Sequence, residues 1–383
     1  MTPSTPSSPL IGSRAFQRQW SEIENDVLAA VGEVGASGWY ILGERLRGFE
    51  GSLAEAYGRG AAIGCGNGLD ALEIGLRCLG LEPGERVLIP PMSAFATALA
   101  VLRAGGRPLF VDVDETGLLD LGETRRCLEA NEDVRFCIPV HLYGQCIDLE
   151  ELSRLRAAFD LRIVEDGAQA MGAGWGEMRV GDAGQMLATS FYPTKNLGAL
   201  GDGGALLTDS PELAARARTL RDYGQSGKYV HSELGLNSRL DEVQAAILAK
   251  AMLPRQAAWN ARRAAIAAAY LAGLGNPLVE PLPAPVKSRS VWHLFPVMVA
   301  EGASRQSLLD HLRASGVLGQ IHYPVTMADQ PCLASAPAGS YESFGELPRA
   351  RALAAREVSL PITPDLTDAE VARVVEAVNS WRL

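Results

Sequence analysis

Apolar positions follow two different periods along the chain, and this alternation predicts the main architecture. In residues 15–33, Trp20, Ile23, Val27 and Val31 recur every three or four positions, as expected of one face of an amphipathic helix. Short continuous apolar runs then alternate with further helical segments. The predicted strands of this region cover residues 61–64, 86–89, 108–111, 136–140, 161–165, 186–190 and 204–208. The predicted helices cover residues 15–33, 44–57, 70–79, 94–104, 149–159 and 212–220.

This alternation predicts an α/β fold with a large domain, in which helices flank a mostly parallel central sheet. Strands that alternate with helices build βαβ units. Continuous apolar strands are expected when helices cover both faces of the sheet. Ligands of such sheets bind outside the carboxyl ends of the strands, so chemistry is expected there.

The C-terminal third has a different pattern, which predicts a smaller α+β domain. A helical segment over residues 240–274 contains Pro254, which is expected to kink or break it. The Pro-rich residues 275–290 predict a linker. The predicted elements after it are strands over 291–299, 319–322 and 358–361 and helices over 304–315, 347–355 and 368–381. The predicted division is a disordered tail over 1–12, a large domain over 13–253 and a small domain over 254–383.

Composition excludes several classes of function. The chain carries 35 Lys and Arg against 45 Asp and Glu, and this net charge of −10 disfavours a nucleic-acid partner. No apolar run approaches the ~20 residues needed to cross a bilayer, so no membrane contact is predicted. The N-terminus lacks the charged start and apolar core of a signal peptide. The six cysteines form no CxxC pair, which argues against a zinc site and predicts a reducing, cytoplasmic location.

The run GCGNGLD, residues 64–70, lies between a predicted strand and a predicted helix. Glycines there let the backbone approach a ligand, and the free N–H groups of the helix favour an anion such as phosphate. The same glycines would also suit a tight turn without a ligand. Ala71 stands where a dinucleotide fingerprint needs its third glycine, which argues against NAD.

Two further residues are candidates for chemistry. Asp166 follows an apolar strand at its carboxyl end, where it could face a ligand or could simply cap a helix. Glu165 is expected to point to the opposite face by strand alternation. Lys195 lies in a turn between two apolar strands and could be a reactive or a merely solvated lysine. A lysine that forms an imine, an acid at a pyridine nitrogen and a phosphate site are the three parts that PLP chemistry needs.

A family resemblance rests on ordered motifs from about residue 15 to the C-terminus. The motifs are GNGLDAL (66–72), VDVD (111–114), IPVHLYGQ (138–145), VEDGAQAMGA (164–173), SFYPTKNLGALGDGGAL (190–206), LGLNSRLDEVQAAIL (234–248), VWHLF (291–295) and IHYP (321–324). On these motifs the chain resembles the DegT/StrS-type sugar aminotransferases, a family of fold-type I PLP enzymes.

The resemblance implies roles for residues around the cofactor. Lys195 matches the lysine that holds PLP as a Schiff base and then moves a proton between the substrate and the cofactor. Asp166 matches the partner of the pyridine nitrogen, and Gln169 matches the residue beside the phenolic oxygen. The residues that match phosphate ligands are Ser190, Asn67, Gly68 and Leu69, the last two through backbone N–H groups.

The resemblance also implies an assembly and substrate contacts. Asn237 matches an asparagine that reaches the phosphate in the neighbouring subunit, which implies a homodimer with shared active sites. Lys228 or Arg239 could meet the diphosphate of a sugar nucleotide, although surface solvation is an equal alternative. His322 and Tyr323 belong to a motif near the small domain and are weaker candidates for substrate contact.

The chain departs from the family pattern at two places. Ala94 stands where the family has an aromatic residue that stacks on the PLP ring, and Phe95 comes one residue late. On a helix, that shift would turn Phe95 by about 100°. Ala328 follows the IHYP motif where many members have a histidine.

These features predict a PLP-dependent aminotransferase that moves an amino group from L-glutamate, through the PMP form of the cofactor, to a nucleotide-linked keto-deoxysugar. The 3-keto group of a dTDP-6-deoxyhexose is the expected acceptor. A 4-keto sugar nucleotide and a cyclitol ketone remain alternatives. A dehydratase of the same family would have histidine in place of Lys195, and a non-catalytic binding or regulatory protein would not need Lys195 and Asp166.

Overall fold

The computed structural model describes residues 10–12 and 15–383. The helices are α1 (Ala15–Ser37), α2 (Glu44–Ala56), α3 (Gly68–Cys78), α4 (Ala96–Arg103), α5 (Leu121–Ala130), α6 (Leu149–Phe159), α7 (Pro211–Arg221), α8 (Glu242–Ile247), α9 (Gln256–Gly273), α10 (Arg305–Ala314), α11 (Pro331–Ala334), α12 (Pro348–Arg356) and α13 (Asp368–Ser380). None of these helices combines the length and apolar character that crossing a bilayer requires.

The strands are short, as expected for a sheet covered by helices. They are β1 (Ala61–Cys65), β2 (Arg86–Ile89), β3 (Arg107–Val111), β4 (Phe136–Cys137), β5 (Arg162–Asp166), β6 (Gly174–Trp175), β7 (Met178–Arg179), β8 (Met186–Ser190), β9 (Gly204–Thr208), β10 (Gln225–Gly227), β11 (Val230–His231), β12 (Val279–Pro281), β13 (Ser288–Arg289), β14 (Phe295–Val299), β15 (Glu342–Phe344) and β16 (Glu357–Leu360).

The large sheet has eight strands in the order β1-β9-β8-β5-β4-β2-β3-β15. Strand β9 runs antiparallel to both of its neighbours, and the remaining pairs, from β8 to β15, are parallel. Val87, Leu88 and Ile89 in β2 are fully buried, because helices cover both faces of the parallel region. The predicted α/β class with a mostly parallel sheet is confirmed.

A second, smaller hydrophobic core lies in the C-terminal part of the chain. It surrounds the antiparallel sheet β12-β14-β16 and includes Tyr270, Phe295, Val358 and Trp381. The chain after residue 254 also contributes to the larger core, because β15 extends the large sheet at β3 and Leu353 of α12 packs there. The domain boundary at residue 254 therefore stays a prediction, drawn on sequence alone.

The predicted disordered tail covers residues 1–12, of which residues 1–9 lie outside the described part of the chain. Ile11 is buried in the smaller core and forms a bridge with Val317. Its backbone N–H donates to the carbonyl oxygen of Gly316 at 2.8 Å. This end of the predicted tail is thus held by the C-terminal part of the chain.

The break expected at Pro254 is confirmed. Helix α8 ends at Ile247, the chain continues through a wide π-type turn and a 3₁₀ turn over Leu253–Arg255, and α9 begins at Gln256. Proline lacks the N–H group that a continuous α-helix would need at this point. Residues before this break pack in the larger core, and Ile266 and Tyr270 of α9 pack in the smaller one.

Two expectations about secondary structure were wrong, and some elements, α5 among them, were not foreseen. The predicted linker over 275–290 contains β12 and β13, because Val279 and Ser288 pair with neighbouring strands. The predicted strand over 319–322 is reduced to one bridge between Gln320 and Ser359. Helix α5 was not predicted, although Asp120 caps it by accepting hydrogen bonds from two backbone N–H groups.

The apolar stripe predicted on α1 is only half correct. Ile23 and Val27 are buried, whereas Trp20 and Val31 are 37% and 42% exposed. Periodicity places apolar residues on helix faces but does not say which neighbouring element covers each face.

We expect Trp381 to be a main source of stability in the smaller core. The side chain is 1% exposed, and its Nε1–H donates to Ser307 Oγ at 3.3 Å. Replacement by alanine would leave a cavity, so Trp381→Ala should lower the free energy of unfolding by about 3–5 kcal/mol in urea denaturation. Leu383→Ala, at a side chain that is 81% exposed, is the control and should stay within about 0.5 kcal/mol. Equal unfolding midpoints for the two variants would contradict the assignment.

Candidate active site

A cavity of about 940 Å³ opens at the carboxyl ends of strands β5 and β8. Its walls come from both sheets. Asp166 and Ser190 lie on the large sheet, and Ser359, which is hydrogen-bonded to His322, lies on β16 of the smaller sheet. The cavity is where open α/β sheets bind their ligands. Of the predicted cofactor residues, those that line it are Asn67, Gly68, Leu69, Asp166, Gln169, Ser190 and Lys195.

Strand β5 ends with two carboxylates on opposite faces. Glu165 is fully buried away from the cavity and accepts hydrogen bonds from His141 Nε2 at 2.8 Å and from the backbone N–H groups of Gly181 and Gly184. Burial alone would raise the pKa of Glu165, but these hydrogen bonds lower it on balance. The strand end is therefore anchored in the protein interior behind Asp166.

Asp166 faces the cavity and is 5% exposed. Burial raises the pKa of its carboxyl group, while the N–H of Ala168, the Lys195 ammonium and the Thr97 hydroxyl act in the opposite direction. Thr97 Oγ1 donates to Asp166 Oδ2 at 3.1 Å, and the N–H of Ala168 donates to Oδ1 at 3.1 Å. A desolvated carboxylate with few donors is suited to a cationic partner such as a protonated ring nitrogen.

Lys195 lies in the turn between β8 and β9 and reaches into the same cavity. Removal of the ammonium group from water lowers the pKa of Lys195 to about 8, and the Asp166 carboxylate opposes this shift. A larger fraction of the amine is therefore unprotonated near neutral pH than for an ordinary lysine. An unprotonated amine is what both imine formation and proton abstraction require.

The start of α3 forms a narrow cradle beside the lysine turn. Asn67 caps the helix, because its Oδ1 accepts a hydrogen bond from the N–H of Asp70 at 2.8 Å. A Cβ at Gly68 would lie 2.7 Å from Ser190 Cβ, and one at Gly204 would lie 2.4 Å from the Asn67 carbonyl carbon. Only glycine permits this close approach. The first N–H groups of the helix have no partner within it, so this end suits a phosphate.

Gln169 connects the two parts of the cavity wall. Its Oε1 accepts a hydrogen bond from the N–H of Tyr143 at 2.7 Å, and its Nε2 donates to Tyr323 Oη at 3.2 Å. Burial raises the pKa of Tyr323 to about 12, so the phenol is neutral. These contacts hold the Gln169 side chain in one orientation at the cavity.

Two histidines of the cavity wall are held neutral. Burial, with the positive charge of Lys195 in addition, lowers the pKa of His322 to about 4. Burial also lowers the pKa of His293 well below its usual value, and its Nδ1 lies 3.0 Å from Asn196 Oδ1. Neutral imidazoles donate and accept hydrogen bonds without adding charge beside Lys195.

Three predicted site residues lie outside the cavity lining of this chain. Asn237 and Lys228 are exposed, and Lys228 Nζ lies 5.5 Å from the ring centre of Tyr229. Arg239 Nη1 donates to Asp222 Oδ1 at 2.9 Å. The structure therefore does not bring these residues to the cofactor cradle within one subunit.

The departures from the family pattern are visible in the cavity. Ala94 lines it, and Phe95 is not part of the lining. Ala328 is 8% exposed and packs in the larger core. The position expected to stack on a cofactor ring thus presents only a methyl group.

Sequence reasoning missed two residues of the cavity wall. Thr97 lies at the start of α4, and its hydroxyl donates a hydrogen bond to Asp166. The hydroxyl oxygens of Thr97 and of Ser93, four positions earlier, are 3.0 Å apart. Arg263 on α9 lines the cavity, and burial lowers its pKa to about 10. The hydroxyl spacing could have indicated Thr97, whereas Arg263 sits in an alanine-rich helix with nothing local to mark it.

These residues fit PLP. The cradle at Gly68 suits its phosphate, the desolvated Asp166 carboxylate suits its ring nitrogen, and the amine of Lys195 suits its aldehyde. All three lie on one cavity. Residues 21–379 also match the DegT/DnrJ/EryC1/StrS aminotransferase family.

The chain belongs to this family. Members of the DegT/DnrJ/EryC1/StrS family depend on PLP, and the protein is a PLP-dependent aminotransferase. It is 41% identical over 98% of its length to dTDP-3-amino-3,4,6-trideoxy-alpha-D-glucose transaminase of Streptomyces venezuelae, of which 97% is covered. It is 38% identical over 94% of its length to dTDP-3-amino-3,6-dideoxy-alpha-D-galactopyranose transaminase of Aneurinibacillus thermoaerophilus, of which 96% is covered.

Solved structures agree with this membership. DesV of S. venezuelae superposes with a TM-score of 0.89 at 41% identity, covering 95% of this chain and 96% of DesV. NtdA of Bacillus subtilis, solved with bound PMP, has a TM-score of 0.87 at 29% identity and covers 98% of this chain and 85% of NtdA. The family expected from the motifs is therefore confirmed.

We expect the lowered pKa of Lys195 to be measurable in the cofactor-free protein. Arylation by trinitrobenzenesulfonate requires the unprotonated amine, so the rate at Lys195 should be half-maximal near pH 8. The signal of this residue is identified by its loss in Lys195→Ala. Asp166→Asn removes the charge that raises the pKa of Lys195, so the midpoint should fall below pH 8.

Asp310→Asn, at a residue on α10 away from the cavity lining, is the matched control and should leave the midpoint unchanged. A midpoint for Lys195 near the ordinary lysine value of about 10.4 would contradict the prediction.

Proposed function

We propose that the protein transfers the amino group of L-glutamate to a nucleotide-linked keto-deoxysugar, at the 3-keto group of a dTDP-6-deoxyhexose. The observation that carries the proposal is that Lys195, Asp166 and the helix end at Gly68 line one cavity. The choice of the 3-keto group is supported by three relatives, each 38–41% identical, that are named as dTDP-3-amino sugar transaminases.

The cofactor would be held by residues already in place. When bound, PLP acts as an electron sink that lets a proton leave the carbon bearing the amine. The Asp166 carboxylate would hold the ring nitrogen protonated, and the Gln169 amide would lie beside the phenolic oxygen. The phosphate would be bound by Asn67, Ser190 and the backbone N–H groups of Gly68 and Leu69.

Lys195 would first fix the cofactor covalently and then act as the general base and acid. Its amine takes the proton from the donor amino acid and later returns a proton to the carbon that receives the new amine. The pKa of about 8 keeps both protonation states accessible near neutral pH. His322 and Tyr323, which also line the cavity, would contact the sugar.

We expect the activity to be demonstrated directly by product mass. The protein with PLP and ¹⁵N-glutamate is incubated with 3-keto and 4-keto sugar nucleotides and with cyclitol ketones, and label should enter the 3-keto dTDP-sugar. Label in another acceptor would reject the 3-keto assignment. A colourless protein that labels no acceptor would reject the aminotransferase function.

Lys195→Ala should reduce turnover by at least about 10³-fold, because both the covalent anchor and the proton carrier are lost. The variant should still bind PLP through the phosphate cradle and Asp166, which the visible absorbance of the cofactor reports. Lys250→Ala, at a lysine paired with Glu33 on the surface, is the control and should retain activity. Normal turnover by Lys195→Ala would refute the assignment.

We also infer that two copies of the chain form a homodimer with shared sites. Asn237 is exposed and forms an antiparallel β-bridge with Asp222. The Asp222 carboxylate accepts a hydrogen bond from Arg239, so the three residues are neighbours. If Asn237 enters the neighbouring cavity, Arg239 and the exposed Lys228 are carried towards the same site. Large apolar side chains exposed on and after α1 support an interface, namely Phe16, Trp20, Leu28, Val31, Trp39 and Tyr40.

We expect complementation between two inactive variants. In a heterodimer of Lys195→Ala and Asn237→Ala, one site loses both residues and the other keeps both. Random mixing should therefore restore about one quarter of the wild-type activity. A mixture of Lys195→Ala and Asp166→Asn is the control, because each site then lacks one residue and activity should not return. A monomer in sedimentation, or no restoration in the first mixture, would contradict shared sites.

A cytoplasmic location is also inferred. All six cysteines are free thiols in the structure, which agrees with a reducing compartment.

A further inference from the structure

His322 is held in place by three hydrogen bonds, one with Tyr143 and two with residues of strand β16. Its backbone N–H donates to Glu357 Oε2 at 2.7 Å, and its carbonyl oxygen accepts from Tyr143 Oη at 2.7 Å. Its ring Nδ1 lies 2.9 Å from Ser359 Oγ. The other ring nitrogen, Nε2, has no hydrogen-bond partner among the described residues, and the side chain lines the cavity.

Glu357 continues this chain of hydrogen bonds into the interior. The carboxylate is fully buried on β16, and its Oε1 accepts a hydrogen bond from Ser359 Oγ. Glu357, Ser359 and His322 thus form a continuous relay from the core to the cavity wall. The hydroxyl proton of Ser359 can be donated in either direction, to Glu357 Oε1 or to His322 Nδ1.

The protonation state of the carboxylate dictates that direction. An ionised Glu357 only accepts, so Ser359 donates to it, His322 Nδ1–H donates to Ser359, and Nε2 is left as an acceptor. A protonated Glu357 donates to Ser359 through Oε1, Ser359 donates to Nδ1, and the ring proton moves to Nε2. Oε2 still accepts from the His322 backbone in both states.

We propose that Glu357 and Ser359 are positioning residues that set the tautomer of His322, so that when Glu357 is ionised Nε2 accepts a hydrogen bond from a hydroxyl group of the sugar substrate. This inference rests on the proposed function for its ligand. The relay itself rests on the geometry of this chain.

The groups around Glu357 are compatible with a change in the protonation state of its carboxylate near neutral pH. Burial raises the pKa of Glu357 to about 7, while Ser359, the His322 N–H and the Arg305 charge on α10 act in the opposite direction. The phenols of Tyr143 and Tyr323, which also face Glu357, have raised pKa values and stay neutral. His322 stays uncharged in the same range, because burial and Lys195 lower its pKa to about 4.

The test is ¹⁵N NMR of the histidine rings between pH 6 and pH 8.5. The chain has five histidines, and the His322 signals are those lost in His322→Gln. In the wild type, the proton should move from Nε2 at low pH to Nδ1 at high pH, with a midpoint near 7. In Glu357→Gln the amide donates to Ser359 at every pH, so the Nε2–H tautomer should persist throughout.

Ser359→Ala is a second variant that interrupts the relay without altering the carboxylate, and the pH-linked change at His322 should disappear. Glu280→Gln on β12, the far strand of the same sheet, and Ser343→Ala on β15 are exposed controls and should behave as the wild type. A His322 tautomer that does not change with pH in the wild type would overturn the proposal. So would a change that persists in Ser359→Ala.

Kinetics supply the second readout. At pH 8.5, Glu357→Gln should raise the KM for the keto-sugar nucleotide about five- to tenfold, with kcat changed less than about twofold, because one acceptor to a substrate hydroxyl is lost. If Glu357 had a purely structural role, Glu357→Gln would alter stability or kcat without changing the tautomer of His322. Because the NMR result does not require turnover, failure of the relay is distinguishable from failure of the proposed reaction.

Discussion

Two adjacent carboxylates at the end of β5 occupy opposite faces of the sheet, and both have been removed from water. Taking a carboxylate out of water costs several kcal/mol unless hydrogen bonds or charges compensate for it. Glu165 is compensated by His141 and two backbone N–H groups, so it can stay ionised in the core. Asp166 accepts hydrogen bonds from Thr97 and one backbone N–H and lies near Lys195, and burial still raises its pKa, so its environment favours a cationic ligand.

The site depends on the junction of two hydrophobic cores. The large sheet contributes the cofactor cradle and Lys195, whereas Ser359, which is hydrogen-bonded to His322, comes from strand β16 of the smaller core. The helix break at Pro254 and the strand β15, which returns to the large sheet, connect the two cores repeatedly. A ligand between them therefore contacts side chains held by independent packing units.

Several hydrogen-bonding groups near the reactive amine are neutral. His293 and His322 are kept uncharged by burial, and Tyr323 is kept protonated. Any additional positive charge here would lower the pKa of Lys195 further, and any additional negative charge would raise it. The cavity can therefore present several hydrogen-bonding groups to a sugar while Lys195 responds mainly to burial and to Asp166.

The candidates Gln169 and Ser190 came only from the family resemblance. Local patterns were sufficient for the α/β class, for most strands, and for the candidates Lys195 and Asp166, because each lies at a strand end or turn with a distinctive neighbourhood. They also indicated the break at Pro254, since proline acts on its own helix. The outer faces of α1, the strands within residues 275–290 and the roles open to Thr97, Glu357 and Ser359 could not be foreseen. Those features depend on contacts between residues far apart in the chain, such as Thr97 with Asp166 and Ser359 with His322, which only packing of the two cores creates.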